Sequence, residues 1–320
     1  MFMFFKNASR AHPRHVIMLQ NRSLSGLLAA TFAFVCWGLL PLYWKALAAV
    51  SAQEIICHRI VWSLACTGIL LIAQGRLAEV RKALCTRRDM LLLAASSSLI
   101  GMNWFLYIWA VNAGHVLEAS LGYYLNPLVN VALGRMVFGD KLRRPQAIAV
   151  GLAATGVAVQ LLSQGRLPWI ALCLAVSFGL YGMVRKLMTV ESLPGLFLET
   201  MMLAGPAAAY LLWLAAQGLG GMGHLGLGTD VLLVGAGLVT TVPLLAFAFG
   251  ARQITMTTLG VLQYLGPTGM FLLGALVYGE PFGLGQAVTF GFIWAGVILY
   301  TADGVLRLRG IPLGAKSARS

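Results

Sequence analysis

Residues 124–157 lie over residues 264–297 without a gap, at a constant offset of 140. Tyr124, Leu125, Pro127, Leu133, Gly134, Val137, Gly139, Gln146, Ala147, Gly151, Gly156 and Val157 recur as Tyr264, Leu265, Pro267, Leu273, Gly274, Val277, Gly279, Gln286, Ala287, Gly291, Gly296 and Val297, twelve identities in 34 positions. Shared apolar composition does not produce that density at one register, so the chain consists of two related halves. Each half holds about five stretches long and apolar enough to cross hydrocarbon. An odd number of spans per copy forces the second copy to thread the bilayer upside down relative to the first.

Composition supports a membrane chain. Hydrophobic residues make up 59% and charged residues only 10%, with a mean hydropathy of +0.82, whereas soluble domains carry about 25% charged residues. The net charge of +13 does not indicate nucleic acid, because the basic residues sit in short connections between apolar runs and form no single patch.

Cutting at Gly, Pro and charge clusters predicts ten helices near residues 24–44, 54–73, 90–110, 118–138, 146–163, 168–184, 196–216, 230–250, 258–278 and 284–303. The fold class is thus an all-α membrane protein of two inverted five-helix repeats, since no ten-residue alternating pattern supports a barrel. The predicted parts are a basic arm at 1–23, a first repeat at 24–163, a second at 168–303 and a basic tail at 304–320. Alternate connections and the two termini hold 19 of the 23 Lys and Arg residues, and the opposite set holds Arg166 and Lys45. The positive-inside rule then places both termini in the cytoplasm. MFMFF followed by basic residues is wrongly ordered for a signal peptide, so residues 1–17 read as a disordered arm or an interfacial anchor, with Met18 as an alternative start. Cys36, Cys57, Cys66, Cys85 and Cys173 show no CxxC spacing and read as reduced, structural residues, with no metal site.

Charges inside apolar spans are costly and seldom idle. His58 and Arg59 lie about one turn inside the second span, and Glu118 opens the fourth on the same side. Arg59 and Glu118 either pair across an outer vestibule or snorkel separately to the interface. Glu199, the counterpart of His58 at an offset of about 141, sits among Phe197, Leu198, Met201 and Met202. It is either a proton carrier or a structural hydrogen-bonding group.

Pro127 and Pro267 fall near the middle of spans four and nine, where each removes an amide and frees the carbonyl four residues earlier, at Tyr123 and Gln263. Helix breaks at the midplane point to a transporter's site, and the alternative is a pair of packing kinks. Tyr123, Tyr124, Asn126 and Asn130 surround one proline, Gln263 and Tyr264 the other. In span three, Asn103 and Tyr107 share a helical face, while Trp109 and Asn112 read as belt residues at the interface. Trp37 is either core or cavity wall. Gly134 and Gly274, Gly151 and Gly291, and Gly156 and Gly296 recur at positions suited to close helix approach. The chain has no HExxH, GxSxG or Walker sequence, which leaves hydrolysis and ATP-driven pumping without support.

HRIVWS, NWFLYIWAVN, LEASLGYYLNPLVN, LVTTVPLLAFAF and LGVLQYLGPTGMFLL together resemble the RarD family, in the EamA branch of the drug/metabolite transporter superfamily. The likeness runs from Met18 to Asp303 and departs in the arm before Met18 and in the loop GLGGMGHLGLG. It implies ten helices in two inverted repeats, a bacterial inner-membrane location and export of small molecules by a secondary mechanism. The expected cavity is lined by spans 1, 3, 4, 6, 8 and 9, with Asn103, Tyr107, Tyr123, Asn126, Gln263 and Tyr264 as contacts. His58, Arg59, Glu118 and Glu199 are expected to gate it or couple it to protons. The expected partners are a small-molecule substrate and the lipid bilayer, with protons and a second copy of the chain left open, and with neither cofactor nor nucleic acid. A membrane-embedded enzyme acting on a lipid-linked substrate and a non-transporting scaffold or sensor are the alternatives.

Overall fold

The computed structural model describes residues 13–84, 86–138, 143–164, 167–251, 253–254 and 262–308. Cys85, Gly139, Lys141, Arg166, Arg252, residues 1–12 and 309–320 of the basic extremities, and residues 255–261 of the expected ninth span lie outside these. Among the described residues the chain forms helices and no strand: α1 (Pro13–Ala46), α2 (Ala52–Ala73), α3 (Leu77–Leu84), α4 (Arg87–Asn112), α5 (Val116–Phe138), α6 (Arg144–Gln164), α7 (Trp169–Leu187), α8 (Ser192–Gln217), α9 (Leu227–Ala251), α10 (Leu265–Leu272) and α11 (Leu284–Leu308). Six of them contain segments long and apolar enough to cross a membrane, and Trp169–Arg185 and Leu265–Val277 are shorter apolar helices.

Three elements depart from the sequence reading. First, residues 13–17 are helical, as the described part of α1, where a disordered arm or an interfacial anchor was expected. Second, α3 is an additional short amphipathic helix that buries Val80 and Ala83. Arg76 ties it down, with Nε to Glu79 Oε1 at 2.6 Å, and Nη2 to Glu79 Oε2 at 2.8 Å and to Glu191 Oε2 at 2.7 Å. These hydrogen bonds hold the Glu79 carboxyl below the usual carboxylate range. Third, α10 runs on into a π-helical stretch, Leu273–Val277, in which the Tyr278 amide donates to the Leu273 carbonyl at 2.8 Å. The matching residues of the first copy, 133–137, are ordinary α-helix, so the two copies have diverged in backbone as well as in sequence.

The prolines are not equivalent in structure. Pro127 lies inside α5, which continues through it. Pro267 is the third residue of α10 and follows a turn at Gln263 and Tyr264, where the missing amide would have had no intrahelical partner. A helix break therefore accompanies Pro267 only.

Helix neighbours repeat between the halves. α6 packs on α11 and α2 on α8; α5 packs on α7 as α10 packs on α1; α1 packs on α9 as α7 packs on α4. The glycines repeat the pattern at atomic scale. A Cβ on Gly156 would meet the Thr289 carbonyl oxygen at 3.0 Å, and one on Gly296 the Ala149 carbonyl oxygen at 2.8 Å. Residues 149 and 289, like 156 and 296, are 140 apart, so each contact is the image of the other. Gly274 sits equally tightly against Leu117, but Gly151 and Gly291 meet nothing within 4 Å. The expected close approach is absent at that last pair because both face outward from the bundle.

Candidate functional site

Between the halves lies a cavity of about 680 Å³. Its walls come from α1, α4, α5, α7, α9 and α10, joined by α2, α8 and α11. At one end it reaches Arg143, Ser192 and Gly304, residues at helix ends on the side where the described chain begins and ends. At the other end it stops at Arg59, Trp104, Tyr107 and Met270, inside the bundle.

Five of the six contact residues chosen from the sequence line this space: Asn103, Tyr107, Tyr123, Asn126 and Gln263, together with Pro127, Pro267 and Asn130. Tyr264 does not. Its ring stacks on its own repeat counterpart, Tyr124, with centroids 6.2 Å apart and planes at 18°, and Tyr124 hydrogen-bonds Thr268 at 2.7 Å. Asn103 is committed to the scaffold: its Nδ2 donates to the Leu174 carbonyl at 3.0 Å and to Ser177 Oγ at 2.9 Å, pinning α4 to α7. Asn126 differs, being buried with no hydrogen-bond partner for Oδ1 among the described residues. Tyr107 and Tyr123 meet edge to face at 5.6 Å and Trp37 packs against Phe34 at 5.4 Å, so the walls are largely aromatic.

The charges are arranged differently from expectation. Arg59 does not meet Glu118. Its guanidinium lies 4.1 Å from the ring centroid of Trp104 and 5.3 Å from that of Trp44, and it faces the cavity. Glu118 accepts the Ile170 amide at 3.1 Å, at the start of α7. His58 lies 3.8 Å from Glu54. Glu199 is not a lone carboxylate: it accepts from Ser96 at 2.8 Å and Tyr181 at 3.2 Å and lies 3.5 Å from Arg185. Arg143 pairs with the buried Asp303 at 2.5 Å. Trp109 stacks on His115, whereas Asn112, expected in the interfacial belt, has a buried side-chain amide.

Two carboxylates escaped the sequence reading. Glu280 accepts the Val116 amide at 2.7 Å and the Leu117 amide at 2.8 Å, at the N-terminus of α5, where unpaired amides and the helix dipole favour an anion. Glu54 accepts the Gly221 amide at 2.7 Å and the Met222 amide at 3.3 Å. With Glu118 they tie helix starts and loops together across the end of the bundle remote from the cavity mouth. The signal was available: the chain has only ten acidic residues, and these three lie at span boundaries where amides need acceptors.

Residues 24–162 and 167–302 each match the EamA-like transporter family. An uncharacterised transporter of Vibrio cholerae is 46% identical over 286 residues, covering 89% of this chain and 95% of that one. Protein RarD of Escherichia coli K12 is 45% identical, covering 90% and 98%. The chloramphenicol-sensitive protein RarD of Pseudomonas aeruginosa is 33% identical, covering 89% and 96%. A crystal structure with 20% sequence identity superposes with a TM-score of 0.58 over 87% of this chain and 97% of that one, a likeness of fold alone.

Proposed function

The chain belongs to the EamA-like transporter family, among the RarD proteins, and from that premise we propose that it is an inner-membrane secondary transporter exporting small molecules by alternating access. Ten spans in two inverted halves, with both termini in the cytoplasm, form its framework. The reciprocal helix contacts and the mirrored glycine contacts at 156 and 296 support a two-fold relation, which five spans per copy would lay in the membrane plane. The observation that carries the reading is the cavity: it lies between the halves, opens at the end marked by Arg143, Ser192 and Gly304, the side that the basic connections assign to the cytoplasm, and stops at the other end inside the bundle at Arg59, Trp104, Tyr107 and Met270, beyond which Glu54, Glu118 and Glu280 tie helix starts and loops together. That is the inward-open half of a transport cycle, in which a substrate enters from the cytoplasm. Arg185 on the wall and Glu199 just behind it are a pair that protonation of the carboxylate would release, a means of coupling to protons.

The test is accessibility. With the native cysteines replaced, a cysteine at position 126 is expected to react with a membrane-impermeant thiol reagent in both inside-out and right-side-out vesicles. Cysteines at positions 82 and 219 report the topology and should label from the cytoplasmic and the outer face respectively. Labelling of position 126 from one face only, under every substrate and pH condition, would contradict alternating access.

A further inference from the structure

Three arginines line the cavity, Arg59, Arg143 and Arg185, and among the described lining residues there is no carboxylate. Arg143 and Arg185 are each neutralised from behind the wall, by Asp303 and Glu199. Arg59 is the exception. It is only 5% exposed, its Nε and Nη1 have no hydrogen-bond partner among the described residues, and the groups holding it are the faces of Trp44 and Trp104. Cation–π contact offsets part of the loss of water but leaves the in-plane N–H donors unused. A buried guanidinium with idle donors at the blind end of an open cavity is a receptor for an anion.

Charge and shape narrow the class. The lining carries one uncompensated positive charge, which matches a monoanion better than a phosphate ester or dicarboxylate. Next to Arg59 the wall is aromatic, with Trp37, Trp104, Tyr107, Tyr123 and Phe178, and Asn126 with its unpartnered carbonyl is among the polar residues farther along, which suits a carboxylate with an aryl or alkyl body. Among the described lining residues no acidic group waits for an ammonium. We propose that the cavity takes organic monocarboxylates, with the carboxylate on Arg59 between the two tryptophans and the apolar body extending toward Asn126. The inference rests on the transport reading for its biological sense but not for its test, which measures binding alone.

The experiment uses purified full-length protein in detergent at neutral pH and three matched probes, 3-phenylpropionate, 3-phenylpropionamide and 3-phenylpropylamine, with hexanoate as an alkyl carboxylate. Thermal protection and quenching of tryptophan fluorescence are both read, because Trp44 and Trp104 flank the binding group. Both carboxylates are expected to protect and quench, and the amide and amine to do neither at the same concentration. Arg59→Gln should weaken carboxylate binding at least tenfold, and Arg59→Lys less than that. If Arg59→Gln does not fold, the wild-type comparison still decides. Binding of the amide or amine as tight as that of the carboxylates, or no binding by any probe, overturns the proposal. Failure here leaves the accessibility of position 126 untouched, and one-sided labelling there leaves carboxylate binding untouched.

Discussion

At the scale of single residues, two asparagines chosen for the same reason have separate roles. Both are polar, within apolar spans and on the cavity wall, but Asn103 uses its amide to hold α4 against α7 whereas Asn126 keeps its carbonyl idle. Replacing Asn103 with Leu leaves the Ser177 hydroxyl and the Leu174 carbonyl short of a partner and is expected to cost about 1–3 kcal/mol of stability. Asn126→Leu removes a group that has no bond to lose, so its thermal unfolding in detergent should be unchanged or raised while ligand binding falls, the usual trade-off at a binding site. Equal destabilisation by both substitutions would place Asn126 in the scaffold. Sequence reveals that an asparagine in a span needs a partner; it does not reveal whether a neighbouring helix supplies one. Arg59 shows the same limit. Its cost in hydrocarbon was legible, but the two expectations, a pairing with Glu118 or snorkelling to the interface, did not include the aromatic rings that hold it, because those rings, Trp104 and Trp44, come from two other helices.

Among elements, the close pair α6 and α11 was the most legible part of the fold and α3 the least. Glycines at 156 and 296 recur in the repeat and pack as their recurrence suggests, but so do those at 151 and 291, which touch nothing within 4 Å. The repeat records common ancestry and does not separate a packing glycine from an inherited one; the rotation of the helix about its own axis does, and the low amphipathicity of spans surrounded by lipid and protein conceals that rotation. Gly156→Val and Gly296→Val, each driving a side chain into a carbonyl of the facing helix, are expected to destabilise by about 1–3 kcal/mol. Gly151→Ala and Gly291→Ala should stabilise by roughly 0.5–1 kcal/mol, the gain of replacing glycine in an open helical position. Thermal unfolding of the four variants checks this, and a destabilised Gly291→Ala would mean that a further surface packs there. α3 escaped notice because one short amphipathic turn beside five basic residues looks like a charged loop; burial of Val80 and Ala83 and the bridge from Arg76 to Glu79 and Glu191 give it a fixed place against α8.

For the whole molecule, the shared register already indicated two related halves, and the structure shows helix neighbours that repeat between them around a central space; five inverted spans per copy belong to the proposed framework. What the register does not contain is which end of that space is shut, since two identical halves would be indifferent. Glu280 caps α5 and Glu54 holds the Gly221 loop, so the end of the bundle remote from the cavity mouth is held by carboxylates on amides as well as by apolar packing. In the proposed alternating-access cycle such contacts belong to the inward-open state and are given up in the outward-open one, when the amides turn to water. Replacing Glu280 with Ala leaves two amides at the start of α5 without their acceptor in the inward-open state only, a penalty of about 1–3 kcal/mol. A penalty confined to one of two states shifts their ratio by roughly fivefold to more than a hundredfold. The expected outcome is faster labelling of a cysteine at position 126 from the outer face in the Glu280→Ala protein than in its parent, slower labelling from the cytoplasmic face, and a larger shift when Glu54→Ala is added, since the two contacts lie on separate loops and should act independently. If both rates fall together, the helix has unfolded locally and the carboxylate served stability. If neither rate moves, the closed end is held by the packing of Tyr107, Tyr123 and Met270 instead, and the cycle turns on those side chains.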